Sequence, residues 1–177
     1  KRIRAMEPRI RELARRQLEA FAHNAESDNF ITGFAYLFPT MVMCDMLGIR
    51  EGEFSNELLQ QLNTAIADTF PVFETRALGA DELAQADRQM EFLTGFFDDM
   101  FADRRRNPRD DLTTAMVNGQ EGNDSLTPEE LSTSVIGLFG AGFETTAHMI
   151  GNGMYLLAAN PAQRDRLLAD ASLAEAA

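Results

Sequence analysis

The chain has 177 residues, is 45% hydrophobic and carries a formal net charge of −12 at pH 7. That length and apolar content suffice for one sizeable core, while the acidic balance excludes a phosphate-backbone binder, which needs a surplus of Lys and Arg on one face. The single cysteine excludes an internal disulfide, no run approaches the ~18 apolar residues of a membrane span, and a cytoplasmic protein is expected.

Strand-like alternation does not persist and apolar residues recur at helical spacing, so the expected fold class is all-α. Ile3, Ile10, Leu13, Leu18 and Phe21 give the first helix an apolar stripe, with Pro8 in its early turns. A polar break follows over 24–29. The next segment, Phe30 to Leu47, is strongly apolar and ends at Gly48, a residue type suited to a left-handed C-terminal cap; Pro39 starts or bends its helix. A third helix is predicted from Gly52 to Asp68. Thr69 to Gly79 reads as a hydrophobic loop exposing Phe70 and Phe73.

The fourth helix, from about Asp81 to Arg106, presents Met90, Leu93, Phe96, Phe97, Met100 and Phe101 in one broad stripe. Its last residues, Arg104, Arg105 and Arg106, are followed by Asp110 and Asp111 and read as a solvated helix end. Asn107-Pro108 stops it, a short helix is expected over 110–117, and Asn118 to Ser125 is a surface loop rich in Gly and Asn.

Thr127-Pro-Glu-Glu130 then combines an N-cap threonine, proline at the first helical position and a glutamate three residues after the cap. The next stop is Asn160-Pro161, so Pro128 to Ala159 is predicted to be one helix, roughly 48 Å long at ~1.5 Å per residue. Gly137, Gly140, Gly142, Gly151 and Gly153 lie inside it and together forgo about 5 kcal/mol of helix propensity. Close approach of something flat would justify that cost. Leu138, Ala141, Gly142, Thr145 and Met149 share one face, apolar and shallow with a single hydroxyl. Thr145 either bonds back to the Ala141 carbonyl or turns outward. Glu144, about 100° round the helix, reaches water behind it, so acid and alcohol in sequence make a proton relay.

Ala141-Gly-Phe-Glu-Thr-Thr146 resembles the Ala/Gly-Gly-x-Asp/Glu-Thr-Thr/Ser signature of the cytochrome P-450 family, the haem-thiolate monooxygenases. Ala35-Tyr-Leu-Phe-Pro-Thr-Met-Val-Met-Cys-Asp-Met-Leu-Gly48 is similar to the family's fifth helix. Pro108-Arg-Asp-Asp-Leu-Thr-Thr-Ala115 resembles the segment before its central helix, and Asn160-Pro-Ala-Gln163 follows that helix at the usual spacing. The likeness is greatest to soluble bacterial members. It covers the middle of the fold, so residues 1–177 are expected to be one helical fragment of a larger haem monooxygenase domain. The Glu-x-x-Arg pair and the cysteine loop that ligates iron are expected beyond Ala177, and the haem-contacting helix before Lys1.

The resemblance implies insertion of one atom of O₂ into a small organic substrate, inactivity of the fragment alone, and a haem b cofactor. Electrons would come from NAD(P)H through a ferredoxin or flavoprotein-type donor, without a nucleic-acid or membrane partner. It implies Ala141 and Gly142 against the haem beside the O₂ site, Thr145 as the hydrogen-bonding hydroxyl there and Glu144 as proton carrier. Gly137, Leu138 and Gly140 would border the substrate pocket, roofed by Phe70 and Phe73. No metal ligand is expected in this chain: Cys44 lies in an apolar helical run without a glycine loop to expose it, and reads as a buried structural thiol. His148, four residues after Glu144, lacks the second pair that a metal site needs and reads as a polar partner.

Two other readings compete. A strand running into a nucleotide-binding Gly-x-Gly turn is opposed by Thr145 at the third glycine's place and by the helix cap upstream. A non-catalytic, all-helical interaction module would use the glycines for helix contact, yet leaves the Glu-Thr-Thr order and the other similar segments without a reason.

Overall fold

The computed structural model describes residues 2–24, 29–50, 52–53, 55–119 and 126–174, and among these there is no strand. Seven α-helices follow in chain order: α1 Arg2–Asn24, α2 Leu37–Leu47, α3 Asn56–Thr69, α4 Ala80–Arg106, α5 Leu112–Asn118, α6 Pro128–Ala159 and α7 Pro161–Ala169. A π-helical turn, Ile31–Ala35, leads into α2, and a 3₁₀ turn, Phe70–Phe73, continues α3. None of the described helices is long and apolar enough to cross a membrane. Most of the expected loop over 118–125 and of the polar break over 24–29 lies outside the described residues.

Local chemistry sets the ends. The α6 start is a reciprocal cap in which Glu130 N–H donates to Thr127 Oγ1 at 3.1 Å and Thr127 N–H donates to the Glu130 carboxylate at 2.8 Å. Helix α3 begins later than the predicted Gly52: Gly52 holds a left-handed φ of 92°, and Ser55 Oγ caps the helix by accepting from Leu58 N–H at 3.2 Å.

α6 runs through the middle, packed on α2, α4 and the π turn, with α7 beyond its end. Val135, Phe139, Phe143 and Ala147 point into the core, where Phe139 meets Phe97 of α4 at 5.9 Å between ring centroids and Phe143 at 5.5 Å. Burying side chains of this size contributes about 1.5–3 kcal/mol each, enough in sum to overcome the poor propensity of the α6 glycines.

Arg104 departs from the solvated end expected for its cluster: it is only 3% exposed. Its guanidinium donates from Nε to Asp111 Oδ2 at 2.8 Å and from Nη2 to the Gly48 carbonyl at 2.7 Å, and Nη1 pairs with Asp103. Asp111 also caps α5 by accepting from Thr114 N–H at 2.7 Å, while the Thr113 hydroxyl donates to the Leu47 carbonyl at 2.6 Å. One buried knot thus ties the ends of α2 and α4 to the start of α5. Gly48 is required there twice over, since its φ is +85° and a Cβ would collide with the Asp111 carboxylate.

Burial would raise the Asp111 carboxyl, but the hydrogen bonds from Thr114 and the Arg104 guanidinium outweigh it and hold the group below the usual carboxylate range. A depressed folded value means that its stabilising effect is complete above the unfolded value near 3.9 and is lost as pH falls through the folded one. In the complete protein, Asp111→Asn is expected to cost about 3 kcal/mol at neutral pH, because a buried guanidinium loses its partner. The variant should also lose part of the acid dependence. Urea midpoints between about pH 3 and pH 7 check both, and parallel pH curves for the two proteins would contradict the assignment.

Candidate functional site

α6 is gripped on two sides at positions two residues apart. A Cβ on Gly140 would stand 3.0 Å from Ile66 Cγ2 and 3.3 Å from Phe70 Cε2, and one on Gly142 would overlap the thioether of Met43 in α2. Both glycines therefore let a neighbouring side chain approach the helix axis. With α3 on one side and α2 on the other, a third strip of α6 stays open. It carries Leu138, Ala141, Thr145 and Met149, all exposed. Gly142, expected within that strip, is half-buried at its edge under Met43.

The Thr145 hydroxyl donates to the Ala141 carbonyl at 2.8 Å, and the next hydroxyl, Thr146, repeats the bond to Gly142 at 3.0 Å. Of the two choices open to Thr145 in sequence, the structure takes the back-bond. With its proton so used, Oγ1 presents lone pairs outward. Glu144 lies behind the strip, half-buried, and its Oε2 is buried without a hydrogen-bond partner. Such an orphan costs free energy unless it serves a role.

Beside the strip, Gly137, Gly140 and Ala141 of α6 face Phe70, Phe73 and Met90 across a cavity of about 350 Å³. The lining is almost wholly apolar, and the Thr69 hydroxyl is already committed to the Ile66 carbonyl at 2.7 Å. Phe73 roofs it while remaining 82% exposed. The structure thus brings together Gly137, Gly140, Phe70 and Phe73, whereas Leu138 opens into a separate hollow beside Asp45, Met46 and Leu112. A larger hollow of about 600 Å³ lies among Glu57, Gln60, Gln61 and Gln89. It is lined mostly by residues with polar side chains and contains no residue of the α6 strip, so size alone does not mark the site.

Cys44 is fully buried, and burial, aided by the Asp45 charge, pushes its thiol up to about 12; it cannot offer a thiolate at neutral pH. His148 forms a polar pair that sequence spacing did not specify: its Nε2 lies 3.0 Å from the Tyr36 hydroxyl. Tyr36 stands 112 residues away in the chain, and Met43 lies 99 residues before Gly142, so no local pattern announces either contact.

The chain matches the family model described as cytochrome P450 over residues 1–172. It is 30% identical over 168 residues to mycinamicin IV hydroxylase/epoxidase of Micromonospora griseorubida, covering 95% of this chain and 40% of the relative. It is also 30% identical to 6-deoxyerythronolide B hydroxylase of Saccharopolyspora erythraea, covering 92% and 38% respectively. Among solved structures, the mixed-function P450 MycG aligns with a TM-score of 0.74 at 29% identity, over 96% of this chain and 40% of that one. P450BioI, solved with an acyl carrier protein ligated to hexadec-9Z-enoic acid, shares the fold at a TM-score of 0.81 and 24% identity, over 96% and 42%. The chain spans about 40% of the length of these curated relatives.

The α2 grip on α6 is open to direct measurement. Gly142→Val is expected to lower the stability of the complete protein by about 2 kcal/mol through overpacking against Met43. In a Met43→Ala background the same change should cost less than half as much. Equal costs in both backgrounds, read from denaturant unfolding, would show that Met43 is not what requires the glycine.

Proposed function

This chain belongs to the cytochrome P450 family, and we propose that the whole protein is a cytoplasmic haem-thiolate monooxygenase inserting one atom of O₂ into an apolar organic substrate. One observation carries the reading: the open strip of α6 adjoins an apolar cavity and has the orphaned Glu144 carboxylate directly behind its only hydroxyl group. Residues 1–177 then supply the oxygen-side wall and part of the substrate pocket and are inactive alone. The relatives named as hydroxylases support the reaction class.

The residues present fit one face of a haem. Ala141 is small and exposed, Leu138 and Met149 offer apolar surface above and below it, and Thr145 is the single polar group between them. Ala141, Thr145 and the edge of Gly142 would lie against haem b. Cys44, buried and held protonated, does not suit the iron, so a thiolate ligand would come from a cysteine elsewhere in the protein. When bound, the haem supplies O₂ activation with electrons that reach it from NAD(P)H through a ferredoxin or flavoprotein.

The chain's own residues do three things. Phe70 and Phe73 roof the cavity against water, and Gly137 and Gly140 leave volume for a substrate beside the strip. Thr145 holds its proton on the Ala141 carbonyl and turns lone pairs to the open face, where they orient a proton. Glu144 replenishes protons from behind, with an oxygen free of any competing donor.

Replacing Thr145 by Ala in the complete enzyme leaves the helix its propensity but removes the only hydroxyl on the strip. Substrate affinity and the absorption band of the reduced, carbon monoxide-treated protein are expected to stay unchanged, while product formed per NAD(P)H oxidised falls about tenfold and peroxide rises. Glu144→Gln is expected to slow turnover without that loss of coupling. Unchanged coupling in Thr145→Ala would remove Thr145 from the site, and a complete protein without a thiolate-type band would overturn the reading itself.

A further inference from the structure

The unpartnered Glu144 oxygen needs a source of protons, and two titratable groups from two elements stand on its side of α6, one of them, Tyr36, within reach of the Glu144 charge. Tyr36 stands between the π turn and α2; His148 stands one helical turn after Glu144 on the same side of α6. Their rings meet edge-on at 5.9 Å, and the Tyr36 hydroxyl lies 3.0 Å from His148 Nε2. Phe143 seats the other edge of Tyr36, with centroids 6.3 Å apart. His148 is exposed, Tyr36 and Glu144 are half-buried, and Glu144 Oε2 is fully buried. A chain of titratable groups thus runs from the surface to the back of the strip.

Resting on the monooxygenase reading above, we propose that Tyr36 and His148 are positioning residues that form the outer leg of the proton route to Glu144. In the working arrangement His148 Nε2–H donates to Tyr36 Oη, the Tyr36 proton is aimed at Glu144 Oε2, and His148 Nδ1 is open to solvent. A proton taken up at Nδ1 is matched by transfer of the Nε2 proton to Tyr36 Oη and of the Tyr36 proton to Glu144. One proton enters, one arrives, and the tyrosine never becomes a lasting phenolate. The pair resets when the exposed imidazole takes a proton from solvent at Nε2 and releases the one at Nδ1, which restores the Nε2–H tautomer with no net change in protons. Burial, and then the Glu144 charge, hold the Tyr36 phenol above its usual value, which suits a group that relays a proton and does not give one up. Glu144 closes the remaining gap by swinging its terminal torsion, the softest in that side chain.

The test has a structural arm and a kinetic arm. Nitrogen-15 NMR of the complete protein, labelled at histidine and held reduced under carbon monoxide, reads the tautomer of His148; loss of its signal in His148→Gln assigns it. The expected result is the Nε2–H tautomer, with its signal shifted in Tyr36→Phe. Turnover is expected to fall about tenfold in Tyr36→Phe and in His148→Gln with product per NAD(P)H unchanged. Tyr36→Phe combined with Glu144→Gln should be no slower than Glu144→Gln alone, as for two steps in series. An Nδ1–H tautomer, unaltered single-variant rates or additive losses in the double variant would each overturn the proposal. A wild-type protein that forms no product would instead sink the monooxygenase reading, and the tautomer would still decide the hydrogen-bond direction.

Discussion

The rotation of α6 about its own axis is the constraint on which the site depends. Met43 presses where Gly142 lacks a side chain, and Ile66 with Phe70 presses where Gly140 does. These contacts lie two residues apart, about 200° round the helix, so a turn of α6 in either direction drives a Cα into a neighbour. Interiors packed to crystal-like density do not give by such amounts. The open strip bearing Thr145 is therefore fixed by what touches the other sides of the helix, and the glycines that weaken α6 locally are what orient it.

The grip depends in turn on where α2 ends. Helix α2 is largely apolar, with Met41, Met43, Cys44 and Leu47 buried, and apolar contact alone resists sliding weakly because it has little direction. The knot around Arg104 supplies that direction: the guanidinium holds the Gly48 carbonyl, and the Thr113 hydroxyl holds the carbonyl before it. Charge-assisted bonds of this kind have narrow geometric tolerance. They set the register of α2, hence the height of Met43 against α6.

What could be read from sequence follows from the range of each interaction. The bounds of α6 were legible because Thr127, Pro128, Glu130 and Asn160-Pro161 act within a turn of themselves, and the exposed strip followed from a period of 3.6 residues. Of the residues expected round the pocket, Gly137, Gly140, Phe70 and Phe73 line one cavity while Leu138 borders a separate hollow, and Gly142 sits at the edge of the strip under Met43. Arg104 was not legible. Its partner Gly48 lies 56 residues away, and an arginine beside two more at a helix end looks like any solvated terminus. Tyr36 was likewise hidden, since nothing near it in the chain mentions His148.

The roof of the cavity has a different character from its floor. Phe73 sits on a short 3₁₀ turn and is largely exposed, so replacing it sacrifices little packing, whereas Gly140 and Ala141 belong to the clamped helix. Mutational cost is thus unevenly distributed round a single cavity: steep on the wall beside the threonine, shallow on the roof. Descendants of this sequence can drift at Phe73, reshaping the cavity one side chain at a time, without crossing a stability threshold or disturbing the hydroxyl and carboxylate beneath. If the cavity holds the substrate as proposed, such an arrangement would make the protein evolvable in its choice of molecule while conservative in its chemistry.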